Sequence, residues 1–253
     1  MKRRIVITGG GSGIGLRIAE RFVQKGDKVA ICDIDGSKIN KINQSNLNIL
    51  GVTADVSNGD DMENFKNIVS KQLGEIDVMI SNAGLAGIAG PLEKQPFPEW
   101  KKCLSVNLDG AFFACQWAAK IMKRRKSGLI LLMSSTSGLF GVPNRIPYVT
   151  AKWGLIGLTK SLAMELGPSG VRVNAICPGA VEGDRINHVL EIESKLSGET
   201  PLQIAEKFSE GVSLRRFVTA NDIADMALFL ASDEAKQISG QALAVDGSTE
   251  RMV

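Results

Sequence analysis

The chain has 253 residues, 44% of them hydrophobic, enough for one large α/β domain, and no Pro/Ser linker, repeat or low-complexity tract divides it. A net charge of +3 and a single Tyr argue against nucleic-acid binding, which needs a longer basic face with stacking aromatics. No apolar run approaches a membrane span. The four cysteines (Cys32, Cys103, Cys115, Cys177) form no C-x-x-C and His188 is the only histidine, so neither a disulfide framework nor a metal site is expected.

The N-terminus, Met1 to Arg4, has the charge of a signal peptide, but glycines interrupt its apolar run after three residues. It therefore reads as the lead-in to a first strand, Ile5-Val6-Ile7, of a cytoplasmic protein. TGGGSGIG, Thr8 to Gly15, follows, and a helical pattern runs from Leu16 to Val23. This is strand, Gly-rich turn, helix. Glycines let the chain turn tightly and a bound group approach the backbone. Free N–H groups and the dipole at the helix start favour a phosphate there. Gly9, Ser12, Gly13 and Gly15 are the candidate contacts. The second strand, Lys28 to Cys32, ends at Asp33, 24 residues after Gly9. A dinucleotide fold places an acidic side chain there on the adenosine ribose. A carboxylate accepts from both ribose hydroxyls and repels a 2′-phosphate. No Arg or Lys lies between Thr8 and Gly15 or just after Asp33, so NAD is expected over NADP. The alternative for Asp33 is a cap or turn residue beside the Asp35-Gly36 turn.

A helix near Ser37 to Gln44 and a strand near Asn48 to Ala54 come next, closed by Asp55 and Val56. A helix from Gly59 to Leu73 leads to the strand Ile76 to Ile80. Ser81-Asn82-Ala83-Gly84 then supplies small residues past which a cofactor can run, with Asn82, Ala83 and Gly84 as candidates. Leu85 to Pro98 is expected to be loop, because Pro91, Pro96 and Pro98 oppose helix. Trp100 to Arg125 reads as one long helix. Asn107 inside it competes for backbone hydrogen bonds, and the basic cluster at Lys120 and Lys123 to Lys126 suits its C-terminus. The strand Leu129 to Met133 ends at Ser134-Ser135. A helix spans Pro147 to Gly167, and the strand Val171 to Ile176 ends at Cys177-Pro178-Gly179. Glu182 to Arg216 is polar with short helical pieces. A helix from Asn221 to Ser232 carries Asp222 in its first turn, and Ala242 to Val245 is the last strand. Seven alternating strands predict a single-domain, Rossmann-type, doubly wound parallel sheet flanked by helices. Ligands bind at the carboxyl ends of such strands, where Thr8 to Gly15, Asp33, Asp55, Asn82, Ser135 and Pro178-Gly179 all fall.

Tyr148 and Lys152 are four apart on one helix and share a face. A phenol near pKa ~10 is a poor base at neutral pH, but a nearby ammonium stabilises the phenolate. Tyr148 can then exchange a proton with a substrate hydroxyl or carbonyl, while Ser135 hydrogen-bonds the same oxygen. With a hydride acceptor on the Gly-rich loop, the set describes a dehydrogenase.

At this point the sequence resembles the short-chain dehydrogenase/reductase family over nearly its whole length. TGGGSGIG is similar to the family's cofactor motif and SNAG (Ser81 to Gly84) to its Asn-Asn-Ala-Gly segment. YVTAK matches Y-x-x-x-K, and Asn107, Ser135, Tyr148 and Lys152 fall where the catalytic tetrad lies. The resemblance implies Tyr148 as acid/base, with Lys152 lowering its pKa and holding the nicotinamide ribose. It further implies that Ser135 orients the substrate oxygen and that Asn107 keeps a water in a proton relay through Lys152. It implies adenine contacts from Asp55 and Val56, a pyrophosphate contact from Ile14, and further cofactor contacts from Pro178, Gly179 and Val181. Family members often carry Thr a few residues after the Pro-Gly. Here Gly183 stands at that position.

The family builds its lid and substrate pocket where Glu182 to Arg216 lies. The charged residues there, with Arg145 just before Tyr148, suggest a small polar substrate, one bearing an anionic group that meets Arg145 or Arg185. Solvated loop charge is the plainer account of the same residues. A 3-oxoacyl thioester reductase is the second reading, opposed by Asp33 because such enzymes generally prefer NADPH. A non-catalytic nucleotide sensor is the third, opposed by the intact tetrad. The resemblance also implies a homotetramer or dimer, with Trp117 and Trp153 as candidates for either interface or core, and the tail from Asp246 to Val253 as a second interface.

Overall fold

The computed structural model describes residues 2–45 and 47–249. Along the strands, side chains alternate between two apolar layers, the expected consequence of a sheet covered on both faces. The chain runs β1 (Arg4–Thr8), α1 (Gly13–Gln24), β2 (Lys28–Asp33), α2 (Gly36–Gln44), β3 (Ile49–Thr53), α3 (Gly59–Gln72) and β4 (Val78–Ser81). It continues through α4 (Phe97–Leu104), α5 (Gly110–Arg125), β5 (Gly128–Met133), α6 (Ile146–Leu166), β6 (Val171–Pro178), α7 (Asp184–Ser197), α8 (Pro201–Glu210), α9 (Ala220–Leu230) and β7 (Ala242–Val245). The seven strands form one sheet of order β3-β2-β1-β4-β5-β6-β7, and every pairing is parallel. The doubly wound α/β class expected from the sequence is what forms.

On one face Ile5, Ile7, Val29, Ile31 and Ile80 pack against Ile18 and Phe22 of α1 and Ile223 and Leu230 of α9. On the other, Val6, Met79, Ile130 and Val173 pack against Phe65 of α3, Trp117 of α5 and Leu155 of α6. The strand order reverses between β1 and β4, and the crevice at that switch point is where the site lies.

Three details depart from the sequence expectations, and a fourth decides between alternatives left open. Pro98 does not exclude helix, because it sits in the first turn of α4, where a missing N–H is harmless. Trp100 to Arg125 is not one α-helix: a π-helical turn, Ser105–Asp109, separates α4 from α5. There the Asn107 amide nitrogen donates to the Cys103 carbonyl at 2.8 Å and to the Leu85 carbonyl at 3.0 Å, so the side chain takes over part of the backbone's role. The segment expected to hold short helical pieces forms the two well-defined helices α7 and α8. Trp117 belongs to the core, edge-on to Phe65 with ring centres 5.6 Å apart, whereas Trp153 is half exposed.

The basic end of α5 is exposed and ion-paired. Arg124 pairs with Glu75, Arg125 with Glu75 and Asp77, and Lys123 with Glu165. Burial pushes the Cys32 and Cys115 thiols up to about 12 and that of Cys177 to about 11. Among the described residues no helix is long and apolar enough to cross a membrane. No three His, Cys, Asp or Glu side chains there gather as metal ligands. The end of the tail considered as a second interface, residues 250–253, lies outside the described residues.

Candidate active site

The carboxyl ends of β1, β2, β4, β5 and β6 open on one cleft of about 740 Å³, within the range typical of ligand pockets. One end is built on the Gly-rich turn. Gly9 and Gly13 have φ of +62° and +53°, a region that favours glycine. A Cβ on Gly9 would lie 2.7 Å from the Cα of Ala83, so β1 and β4 can meet this closely only without it. Asn82 clamps the turn: its amide nitrogen donates to the carbonyls of Thr8 at 3.1 Å and Gly9 at 2.9 Å. The Thr8 hydroxyl accepts from the N–H groups of Asn82 and Ala83, both at 3.1 Å.

Gly9, Ser12, Gly13, Ile14 and Gly15 line this end of the cleft, as do Asp33, Asp55, Val56, Asn82, Ala83, Gly84, Pro178, Gly179 and Val181. The residues fit a dinucleotide. Ser12 stands at the N-cap of α1 without a side-chain cap, and the first turn carries no acidic residue. Its N–H groups are therefore available to an anion. Asp33 closes the far side, holding the N–H of Gly11 at 2.9 Å and of Asp35 at 3.1 Å. Lys38, unmarked by any sequence motif, also lines this end. Its ammonium donates to the Ser12 hydroxyl at 3.3 Å and pairs with Asp35 at 3.6 Å. Asp55 spends one carboxylate oxygen on Ser57, accepting from its N–H at 2.8 Å and its hydroxyl at 2.7 Å.

At the other end, Ser135 closes β5, and Tyr148 and Lys152 project from the first turns of α6. Lys152 is almost fully buried. Its ammonium donates to the Met133 carbonyl at 2.8 Å and lies 5.3 Å from the centre of the Tyr148 ring. Two guanidinium groups flank the same ring, those of Arg145 and Arg185, each with its carbon 5.7 Å from the ring centre. Burial opposes ionisation of Tyr148, but Lys152, Arg185, the Ser135 hydroxyl and Arg145 together outweigh it and lower its pKa. Burial likewise lowers the pKa of Lys152, against the pull of Tyr148.

Asn107 does not itself line the cleft. It lies behind Gly84, whose absent Cβ would sit 2.6 Å from the Asn107 Oδ1 and 3.5 Å from the Lys152 Nζ. That Oδ1 is buried and makes no hydrogen bond among the described residues.

Gly183 is the N-cap of α7, with φ of +128°, and lines the cleft between the Pro-Gly turn and the lid helices. The lid is less polar than its composition suggests. Ile186 and Val189 of α7 and Phe208 of α8, which no sequence motif marks, face the cleft. Their spacing, Ile186 to Val189, is one helical turn; flanking charges had hidden it. Arg215 and Arg216 do not reach the cleft, and His188 is exposed beside Glu191.

A family model described as Enoyl-(Acyl carrier protein) reductase matches residues 9–248. Levodione reductase of Leifsonia aquatica is 32% identical over 251 residues, covering 97% of this chain and 93% of that protein. The chain belongs to the short-chain dehydrogenase/reductase family. As a short-chain oxidoreductase it has close structural likenesses. An NAD+-bound xylitol dehydrogenase superposes with a TM-score of 0.92 at 27% identity, covering 97% of this chain and 98% of that one. An actinorhodin polyketide ketoreductase with NADPH superposes at 0.93 and 30% identity, covering 99% and 98%. Short-chain oxidoreductases of this shape thus include one bound to each nicotinamide cofactor.

Proposed function

We propose that the protein interconverts a secondary alcohol and a carbonyl with NAD(H), on a small polar substrate. The observation that carries this reading is the position of Tyr148. It shares one cleft with Asp33 and the Gly-rich turn, and it is surrounded by groups that favour its phenolate. The bound nicotinamide supplies the hydride acceptor or donor. Tyr148 takes the proton from the substrate hydroxyl during oxidation and returns it during reduction. Ser135 donates a hydrogen bond to the same oxygen and orients it. Lys152 stabilises the phenolate and holds the nicotinamide ribose. Asn107, with its Oδ1 free, keeps a water in a relay through Lys152. Asp33 receives the adenosine ribose, and Val56 and Asp55 receive the adenine.

Titration of the protein's fluorescence with NADH and NADPH separately tests the cofactor assignment. Tighter binding of NADH supports it; tighter binding of NADPH moves the reading toward a 3-oxoacyl thioester reductase. Tyr148→Phe tests the enzyme assignment, because a nucleotide sensor keeps its function in that variant and an enzyme loses turnover. Self-association, as a homotetramer or dimer, is part of the proposal. Its support is the exposed apolar surface at Phe112 of α5 and Trp153 and Met164 of α6. Free cysteines throughout suit the cytoplasm.

A further inference from the structure

The three cations around Tyr148 are more than proton transfer needs. Lys152 is engaged, with its ammonium on the Met133 carbonyl. The two arginines are not. Arg145 is 8% exposed, and among the described residues its only side-chain hydrogen bond is a long one, from Nη2 to the Ala86 carbonyl at 3.4 Å. Its other terminal nitrogen, Nη1, is buried without a partner among the described residues, although a buried guanidinium normally has its donors satisfied. Arg185, on the exposed face of α7, brings its guanidinium carbon within 5.7 Å of the same ring centre. Neither arginine makes an ion pair among the described residues. Solvation explains a charge on a loop but not one in the position of Arg145. Glu193 lines the cleft too and its charge is felt at Arg145, yet it does not close on the guanidinium.

We propose that Arg145 and Arg185 form an anion seat beside Tyr148, and that the substrate is a short oxo or hydroxy acid. Its carboxylate or sulfonate bridges the two guanidinium groups while its carbonyl or hydroxyl meets Tyr148. A guanidinium presents paired donors that match the oxygens of such a group. Both arginines lie as close to the Tyr148 ring as Lys152 does, to within half an ångström. Only a short linker can therefore separate the anionic group from the reacting carbon. The apolar Ile186 and Val189 leave room for a short alkyl part and disfavour a heavily hydroxylated one. The seat would exclude a neutral substrate by leaving Arg145 buried and unpaired.

This inference rests on the dehydrogenase reading, and the experiment separates the two. The NAD+ complex is titrated calorimetrically with acetoacetate and with 2-oxopropane-1-sulfonate, and with acetoacetamide as a neutral analogue of the first. None is oxidised by NAD+ at its ketone, so binding is read without turnover. The expected result is that at least one anion binds ten or more times as tightly as acetoacetamide. Arg145→Gln and Arg185→Gln should each remove most of that preference, and Arg145→Lys should restore it only in part. NADH affinity serves as the check that each variant is folded. Equal affinity for acid and amide, no binding by either anion, or a preference that survives both Gln variants would overturn the seat. NADH-linked turnover of neutral ketones together with no anion preference removes the seat and leaves the dehydrogenase reading standing. Anion binding without NADH-linked turnover of any oxo acid does the reverse.

Discussion

The Asp33 carboxylate accepts the Gly11 N–H at 2.9 Å, which fixes a negative charge at the edge of the Gly-rich turn. A Cβ on Gly11 would lie 2.8 Å from that carboxylate, so the contact depends on both residues. In the proposed reading this charge faces the adenosine ribose and repels a 2′-phosphate. Asp33→Asn is expected to lower the ratio of NADPH to NADH dissociation constants by about tenfold or more, equivalent to 1.4 kcal/mol. Lys38, close by on Ser12, should then assist the phosphate. Fluorescence titration with both cofactors measures the ratio, and an unchanged value would falsify the role given to Asp33.

Tyr148 and Lys152 titrate as a pair, so a pH profile reports the pair rather than either group. The phenol must be ionised to accept a proton. For alcohol oxidation, kcat/KM should therefore rise with pH to a plateau, with an apparent pKa below the ordinary ~10 of a tyrosine. Removing Lys152 as Lys152→Met takes away the largest favourable charge and should move that limb upward. Arg185→Gln should move it upward by less. Tyr148→Phe should cost roughly 10²–10⁴ in kcat. Initial rates across pH in the three variants provide the check, and a limb that stays in place without Lys152 contradicts the assignment.

Gly84 has no room for a methyl group. Its Cβ would press on the buried Asn107 Oδ1 at 2.6 Å, and Asn107 is held in turn by the Cys103 and Leu85 carbonyls. Gly84→Ala should displace Asn107 and lower kcat. It should also destabilise the fold by about 1–3 kcal/mol, the usual cost of overpacking. Thermal unfolding and steady-state kinetics on the same preparation read both effects. Wild-type kcat in this variant would show that Asn107 is not needed where it lies.

Asp77 works at the other end of the sheet, just before β4. It accepts from Arg4 at 2.8 Å and pairs with Arg125 at 2.6 Å. Burial opposes its ionisation, but the hydrogen bonds from Arg4 and Arg125 prevail and hold it at about 2. A lowered carboxylate stabilises the folded state fully above its unfolded pKa of ~3.9 and loses that contribution as pH falls through about 2. Asp77→Asn should lower Tm near neutral pH, with the difference from wild type shrinking between pH ~4 and ~2. NADH affinity should not change, since the cleft is at the opposite strand ends. A difference in Tm that is the same at pH 7 and pH 2 would rule the linkage out.

The strands, their order of appearance and the Gly-rich turn were readable because each depends on local rules. A parallel strand covered on both faces is a continuous apolar run, and its end is marked by Gly, Pro, Ser or Asp. Tyr148 and Lys152 were readable as a pair because helix geometry places residues four apart on one face. The break between α4 and α5 was not, because the π-helical turn is stabilised from outside, by the bond between Asn107 and the Leu85 carbonyl. Lys38 was missed because the turn after β2 brings it back onto Ser12, 26 residues earlier in the chain.

The sequence by itself determined which segments are strand or helix and which residue types carry chemistry, since periodicity records how each side chain is buried relative to its own backbone. It does not record which distant side chain supplies the facing surface. Only the tertiary structure decided that Ile186 and Val189 turn toward the cleft and that Arg145 is buried with an unpaired nitrogen. It also decided that Arg185, 37 residues beyond Tyr148 in the chain, closes on the same ring. α7 shares the cleft with loops far from it in the chain, an arrangement that no local pattern encodes.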